Sequence, residues 1–199
     1  MSSQIARDYQ ELTERVMADK RYKKNIEFAY DHPQSGHPEG QVKYHIAELE
    51  ANLERLKPLL PGEEFYWKLK FLIHVHDTFK AQASREGVPA DHPDSHESLA
   101  RVFANEFTDD SNILNIIQYH DENYTLWKQF QSNGHYDSDW LQYLLNTIHD
   151  WDLFLAFTLI DGHTQGKDIE KLAWFLGLVR QYKKTVVTKA WINALSSKE

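Results

Sequence analysis

The sequence predicts an all-α protein, built as a compact helical bundle. Apolar residues recur at helical spacing along nearly the whole chain, and no segment shows the strict alternation typical of a β-strand. The breaks between periodic segments, at 31–40, 84–93 and 132–139, are rich in Gly, Pro, Ser and Asp, which favour turns. No repeat or linker divides the 199 residues, so a single domain over 1–199 is expected.

The first half of the chain contains three predicted helices. The stripe of the first consists of Ile5, Tyr9, Leu12 and Val16. The second begins near Val42 and is expected to end at Pro58, because proline has no backbone N–H and cannot continue a helix. The third is predicted to run from about Glu63 to Ala83, with its apolar residues on one side.

Four further helices are predicted in the second half. Asp94 and Glu97 resemble a capping box that begins the fourth. The stripe of the fifth consists of Ile113, Ile116 and Ile117. The sixth, roughly Asp139 to Asp161, is apolar nearly all round in its second half, so it is expected to be central and to end at Gly162. The last is predicted from about Lys167 toward Leu195.

Charge and hydropathy narrow the range of partners. The formal net charge is −8, so the chain lacks a general field that would attract the backbone of an extended nucleic acid. The N-terminal segment is polar and amphipathic, unlike a signal peptide, and no apolar run approaches the length of a membrane span. We therefore expect a soluble, cytoplasmic protein with no membrane partner, and the oligomeric state stays open.

The side chains that are able to bind metal are imidazoles and carboxylates. The chain has eleven histidines and no cysteine, so any metal must be held by nitrogen and oxygen, a donor set that suits zinc, iron or manganese. Several of these side chains fall on the apolar faces of separate predicted helices. They are His45, His76, Asp77, His96, His120 and Asp161.

Each of these residues also has an ordinary structural interpretation. A single histidine on an apolar stripe is more often a hydrogen-bonded core residue than a ligand, and a buried aspartate can pair with a cation or cap a helix. A buried carboxylate without a partner or a metal is nevertheless costly. A shared metal would satisfy all six groups together, so the joint pattern favours a metal site.

The order of these residues resembles the H…HD…H…H…D signature of HD-domain metalloproteins. The segment Phe71–Lys80 is similar to that family's apolar run into the His-Asp pair, followed by lysine three positions on. The segment His37–His45 is similar to the stretch before the first ligand in the HD domains of bacterial tRNA nucleotidyltransferases. The resemblance covers roughly Gly36 to Gly162, which would form the core of the domain.

This resemblance implies a centre of one or two divalent ions, of iron, manganese or zinc. His45, His76, Asp77 and Asp161 would bind the first ion. Asp77 would bridge to a second ion, held also by His96 and His120. Two bridged metals clamp a phosphate and lower the pKa of a shared water, whose hydroxide attacks phosphorus. Asp77 and Lys80 would be catalytic, although Lys80 fits a solvated helix-end lysine equally well.

The function that the resemblance implies is a metal-dependent phosphohydrolase. Its partner would be a small phosphorylated molecule, a nucleotide or dinucleotide. Two alternatives share the fold, namely a di-iron oxygenase with the same ligand set and a non-catalytic regulatory domain. A second His-Asp pair, His149-Asp150, is rejected because it lacks the apolar run and the lysine. Arg101 and Lys167 are interpreted as surface charges in preference to phosphate contacts.

Overall fold

Helices form every regular element in the computed structural model, which describes residues 3–29, 40–83 and 88–196. Their bounds are α1 Gln4–Ala18, α2 Lys20–Asn25, α3 Val42–Leu56, α4 Glu63–Val75, α5 His96–Ala104, α6 Ser111–Tyr119, α7 Glu122–Asn133, α8 Ser138–Thr147, α9 Trp151–Gly162, α10 Ile169–Val179 and α11 Lys189–Ser196. Within these ranges the only extended pairing is an isolated bridge between Ala29 and Gln41. The all-α prediction is confirmed. None of the described helices is both long and apolar enough to cross a membrane.

Two helices form the centre of the bundle. In α9 every residue except Asp152 and Asp161 is buried, which agrees with the prediction that this segment is central. Helix α4 packs against α1, α3, α6 and α9, and its Phe71 is fully buried. Because α4 and α9 face each other across the core, side chains at their C-terminal ends are brought together in the interior.

Short polar side chains fix where most helices begin. A side-chain oxygen accepts a backbone N–H bond at Ser3, Asp19, Ser95, Asp110, Asp137, Asp150 and Asp168. Such a cap stabilises a helix by about 0.5–2 kcal/mol relative to alanine. Ser95, not Asp94, caps α5, so the predicted capping box of Asp94 and Glu97 is wrong. Asp121 precedes α7, yet its side chain makes no capping bond.

Three predicted helices are shorter than expected. The third ends at Val75 instead of Ala83, and a series of turns follows from His76 to Gln82. The segment 139–161 is divided, because Ile148 is extended and Asp150 starts a new helix. The segment 167–195 is likewise divided at residues 180–188. Apolar spacing continues across these breaks, which is why it did not reveal them.

Two helices, α2 and α7, were not predicted. The stretch His37–His45, which resembles tRNA nucleotidyltransferases, begins with residues 37–39, and these lie outside the described residues. Gly162 does end α9, as expected, but the dihedral that usually favours glycine is not the reason, since its φ is not positive. A Cβ at this position would clash with the side chain of Leu172, so glycine permits the close approach of α10.

Candidate metal centre

The structure brings all six sequence-predicted ligands into one cluster, and most of them lie at helix ends. His45 is in the first turn of α3, and Asp161 is in the last turn of α9. His96 is the first residue of α5, whereas His76 and His120 directly follow α4 and α6. Asp77 lies in the turns after α4, not within the helix as predicted.

One group of donor atoms surrounds the Nε2 atoms of His45 and His76. Nε2 of His45 lies 3.0 Å from Oδ1 of Asp161 and 3.7 Å from Oδ2 of Asp77. Nε2 of His76 lies 3.4 Å from Oδ2 of Asp77 and 3.9 Å from Oδ1 of Asp161. Atoms of His45, His76 and Asp161 form a set that could hold a metal ion, and Oδ2 of Asp77 lies next to both histidines.

A second group uses the other oxygen of Asp77. Its Oδ1 lies 3.5 Å from Nε2 of His96 and 3.5 Å from Nε2 of His120. Atoms of these three residues form another set that could hold a metal ion. Since Oδ1 faces this set and Oδ2 faces His45 and His76, the carboxylate of Asp77 has the arrangement of a bridge between two positions.

The imidazole rings are oriented by contacts on their far sides. Nδ1 of His76 lies 3.1 Å from a backbone carbonyl oxygen of α4, and Nδ1 of His120 lies 2.8 Å from one of α6. A carbonyl oxygen can only accept, so these Nδ1 atoms carry a proton, and Nε2 is the nitrogen through which each ring could bind a cation. Nδ1 of His96 lies 3.2 Å from Oε2 of Glu97. Such contacts commonly orient metal-bound histidines.

Buried atoms without partners test whether a metal fits here. Nε2 of His76, His96 and His120 and Oδ1 of Asp77 are buried and make no hydrogen bond with any residue that the structure describes. A buried polar group left in this state costs about 1–3 kcal/mol. One cation among them would satisfy several such atoms at once. The donor set therefore fits a divalent ion, and nitrogen with carboxylate oxygen suits zinc, iron or manganese.

The two carboxylates of the cluster are ionised. Burial would raise the pKa of Asp77, but the charges of His76 and Lys80 outweigh it and hold that pKa well below its usual range. Burial is likewise outweighed at Asp161, where Lys167 and His45 keep the pKa low. Both groups are therefore negatively charged at neutral pH and attract a cation.

The two histidines of the second group differ in basicity. Burial, together with the charge of Lys80, lowers the pKa of His96 to about 3. Burial also acts on His120, but the carboxylates of Asp121 and Asp77 outweigh it and raise that pKa to about 10. A metal must displace any proton held on these nitrogens, so a bound cation and a proton on His120 compensate the same carboxylates.

Lysines border the cluster. Nζ of Lys80 lies 2.5 Å from Oδ2 of Asp77, and Nζ of Lys167 lies 2.8 Å from Oδ1 of Asp161. The side chain of Lys167 is only 16% exposed, so its interpretation as a surface charge is wrong. Lys171 on α10 is buried, which lowers its pKa, and the charge of Asp161 offsets part of this effect.

Two acidic residues near the second group were not predicted as site residues. Glu97 was assigned to a cap, yet it lies beside Nδ1 of His96. Asp121 has its Oδ2 3.7 Å from Nε2 of both His96 and His120. The position of Asp121 directly after a predicted ligand was the one available signal in the sequence.

The other His-Asp pair has a different role. Asp150 accepts a hydrogen bond from the backbone N–H of Leu153 and so caps α9. His149 and Asp150 border a surface hollow of about 340 Å³ that none of the six predicted ligands lines. Neither residue belongs to a group of described side chains that could hold a metal.

Comparison with known proteins adds no relative. No protein-family profile matches the chain, and neither a curated protein nor a solved structure is significantly similar to it. Membership of the HD-domain superfamily therefore stays a prediction that rests on the order of the six residues.

Proposed function

We propose that the chain is an HD-domain, metal-dependent phosphohydrolase that acts on a small phosphoester such as a nucleotide or dinucleotide. The observation that carries this proposal is the pairing of lysine ammonium groups with the carboxylates of the donor cluster. Lys80 contacts Asp77, and Lys167 contacts Asp161. A site that holds divalent cations and is bordered by fixed cations suits a substrate with several negative oxygens.

The assignment of ligands follows from which oxygen of Asp77 each histidine faces. One ion would be held by His45, His76, Asp161 and Asp77. The other would be held by His96, His120 and Asp77. Divalent ions in such a site supply Lewis acidity and lower the pKa of a water molecule, which allows hydrolysis at neutral pH. Asp77 would contribute one oxygen to each position, so its loss would affect both ions.

The lysines supply the other half of the proposed chemistry. The ammonium groups of Lys80 and Lys167 already compensate the two site carboxylates. When those carboxylates bind metal, the same ammonium groups lie at the edge of the site, where they can donate hydrogen bonds to phosphoryl oxygens. Negative charge grows on the leaving-group oxygen as its bond to phosphorus breaks, and the phosphoryl oxygens that stay on phosphorus are charged throughout. Positioned donors stabilise both.

Uneven exposure supports entry of the substrate from one side. His45, His76, Asp77 and His120 are buried, and the ring of Phe157 packs 5.1 Å from that of His76. His96, Asp121 and Asp161 are partly exposed, as are the side chains of Lys80 and Lys167. A substrate that approaches over these residues would meet both lysines at the site. The acidic chain as a whole favours a small anion over an extended polynucleotide.

The decisive experiment is anaerobic reconstitution with manganese and then with iron, followed by assay of phosphate or nucleotide release from a panel of mono- and dinucleotides. We expect metal-dependent release without oxygen, because hydrolysis needs only a Lewis acid and water. No release of phosphate or nucleotide from any member of that panel, together with substrate-dependent oxygen uptake by the iron form, would favour the di-iron oxygenase. Ligand binding without turnover of either kind would favour a regulatory domain.

The number of ions is tested separately. Elemental analysis of His96→Ala and of His120→Ala should show a fall from about two ions per chain to about one, since His45, His76 and Asp161 would keep the first. A wild-type chain that never holds more than one ion under any loading condition would instead place His96 and His120 in contact with substrate.

A further inference from the structure

The second group of donor atoms is more complete than the six-residue pattern suggests. Oδ2 of Asp121 lies 3.7 Å from Nε2 of His96 and 3.7 Å from Nε2 of His120. Oδ1 of Asp77 lies 3.5 Å from the same two nitrogens. Two carboxylate oxygens therefore lie at nearly equal distances from both imidazoles.

Coordination geometry sets how far apart the ligand atoms of one ion lie. Zinc binds histidine nitrogen and carboxylate oxygen at about 2.0–2.2 Å, so the ligand atoms of a tetrahedral site are about 3.3–3.6 Å apart, whereas adjacent octahedral ligands at that bond length are about 3.0 Å apart. The separations of 3.5 Å from Asp77 to the two histidines match the tetrahedral value, and those of 3.7 Å from Asp121 are slightly longer. All four exceed the octahedral value, so they favour a four-coordinate ion.

The side chain of Asp121 lies beside His96 and His120 and does not cap α7. Asp121 occupies the N-terminal cap position of α7 with φ −89° and ψ 0°, and it makes no capping hydrogen bond. The other aspartates at this position in the described helices all accept a backbone N–H bond, namely Asp19, Asp110, Asp137, Asp150 and Asp168. A cap of this kind is worth about 0.5–2 kcal/mol.

The atoms that Asp121 approaches belong to buried side chains with unmet bonding capacity. His120 is 3% exposed and Asp77 is 2% exposed, and neither Nε2 of His120 nor Oδ1 of Asp77 makes a hydrogen bond with any residue in the described ranges. The side chain of Asp121 is 41% exposed, so it forms the solvent side of the group. A cation enclosed by these residues would be reached from the side of Asp121.

We propose that Asp121 is a fourth protein ligand of the second ion and that it completes a tetrahedral shell of two imidazoles and two carboxylates suited to zinc. This inference rests on the metal centre of the proposed function but not on the reaction. Within the centre it makes the two positions alike, because each would then hold its ion with two imidazoles and two carboxylates.

Zinc titration of the purified full chain tests the inference, with elemental analysis for stoichiometry and calorimetry for affinity. Wild type should bind two zinc ions. Asp121→Asn keeps the size of the side chain but removes its charge. It should lower the affinity for the second zinc ion by at least about tenfold and leave the affinity for the first unchanged. Asp137→Asn is the matched control, because Asp137 begins α8 as Asp121 begins α7 but caps its helix. It should bind zinc as wild type does.

The outcomes separate this inference from the proposal on which it rests. An Asp121→Asn chain that binds two zinc ions with wild-type affinity would overturn the role of Asp121 and leave the two-ion centre intact. A wild-type chain that never takes a second ion would overturn both. Should Asp121→Asn fail to fold, as judged by circular dichroism, cobalt(II) titration of wild type decides. Strong tetrahedral absorption at the second equivalent supports the shell, whereas only weak octahedral absorption contradicts it.

Discussion

Nζ of Lys80 lies 2.5 Å from Oδ2 of Asp77, the carboxylate oxygen that also faces His45 and His76. An ammonium group and a divalent ion would therefore share one oxygen. Lys80 follows Asp77 by three residues in a series of turns, and its backbone N–H donates to the carbonyl oxygen of Asp77. Replacement of Lys80 should therefore affect metal binding and turnover differently.

Replacing Lys80 with methionine should separate those two properties. Lys80→Met removes a cation that competes for Asp77, so metal affinity should stay the same or rise. Phosphate release at saturating metal should fall by about 10²-fold, because a donor to the developing negative charge is lost. Lys70→Met is the matched control, since Lys70 likewise pairs with a carboxylate, that of Glu50, but lies outside the cluster. Equal activity of Lys80→Met and wild type would exclude Lys80 from the reaction.

Removal of Asp77 should abolish metal binding and activity together. Asp77→Ala deletes a ligand common to both positions and leaves buried histidines without a counter-charge. Added metal should then no longer raise the melting temperature, because stabilisation by a ligand requires binding to the folded state. Elemental analysis and thermal melts with and without metal provide the measurement, and full metal content in the variant would contradict the assignment.

The second His-Asp pair provides the control for that experiment. Asp150→Ala removes a helix cap and should destabilise the fold by about 0.5–2 kcal/mol. Its metal stoichiometry should nevertheless equal that of wild type. Asp77→Ala should therefore abolish metal binding, whereas Asp150→Ala should lower stability and leave metal binding unchanged.

Helical spacing predicted the inward-facing ligands because it reports which side of a helix is buried. His120 follows Ile113, Ile116 and Ile117 on one face, and His45 lies between Val42 and Leu49 on another. Both are buried in the structure. The spacing could not show that the helix before Asp77 ends at Val75, because the turns that follow it are also apolar in sequence. These turns are stabilised by contacts such as the hydrogen bond from Thr78 Oγ to the carbonyl oxygen of His74.

Residues that reach the site from loops were beyond sequence reasoning. Lys167 meets Asp161 only because the chain reverses after α9, and Asp121 faces the histidines only because its side chain leaves the cap of α7. Such positions depend on how separate helices pack, and spacing along one helix carries no information about that. The sequence therefore predicted the six donor residues and Lys80, but not that Lys167 and Asp121 lie beside them.

The contact between α9 and α10 should tolerate no added methyl group at Gly162. Gly162→Ala places a Cβ against the buried side chain of Leu172, and overpacking of this kind costs about 1–3 kcal/mol. Gly177→Ala is the matched control, because a Cβ there has nothing within 4 Å. Gly177 lies inside α10, so alanine should stabilise the helix by up to about 1 kcal/mol. Urea unfolding measures the free energy of unfolding of both variants. An equal loss of stability in Gly162→Ala and Gly177→Ala would contradict the steric explanation.

A buried network outside the metal centre should make stability depend on acid pH. Nδ1 of His74 forms a hydrogen bond of 2.6 Å with the hydroxyl of Tyr22, and Nε2 of His74 lies 3.2 Å from Oε1 of Glu50. The bond from His74, aided by the charges of His74 and Lys70, outweighs burial and lowers the pKa of Glu50 to about 2. Tyr66 on α4 also faces this carboxylate. The network joins α2, α3 and α4.

The sign of the pH effect follows from this lowered pKa. Glu50 is more acidic in the folded chain than its ordinary value of 4.5, so its contribution is present above pH 4.5 and is lost as the pH falls toward 2. Glu50→Gln should be less stable than wild type at pH 7, by no more than about 1 kcal/mol because the side chain is 37% exposed and screened by solvent. The difference should shrink between pH 4.5 and pH 2. Urea unfolding in the presence of a chelator measures it, with Glu11→Gln on the exposed face of α1 as control. A difference that stays constant across this range would show that Glu50 stabilises the fold by packing and not by its charge.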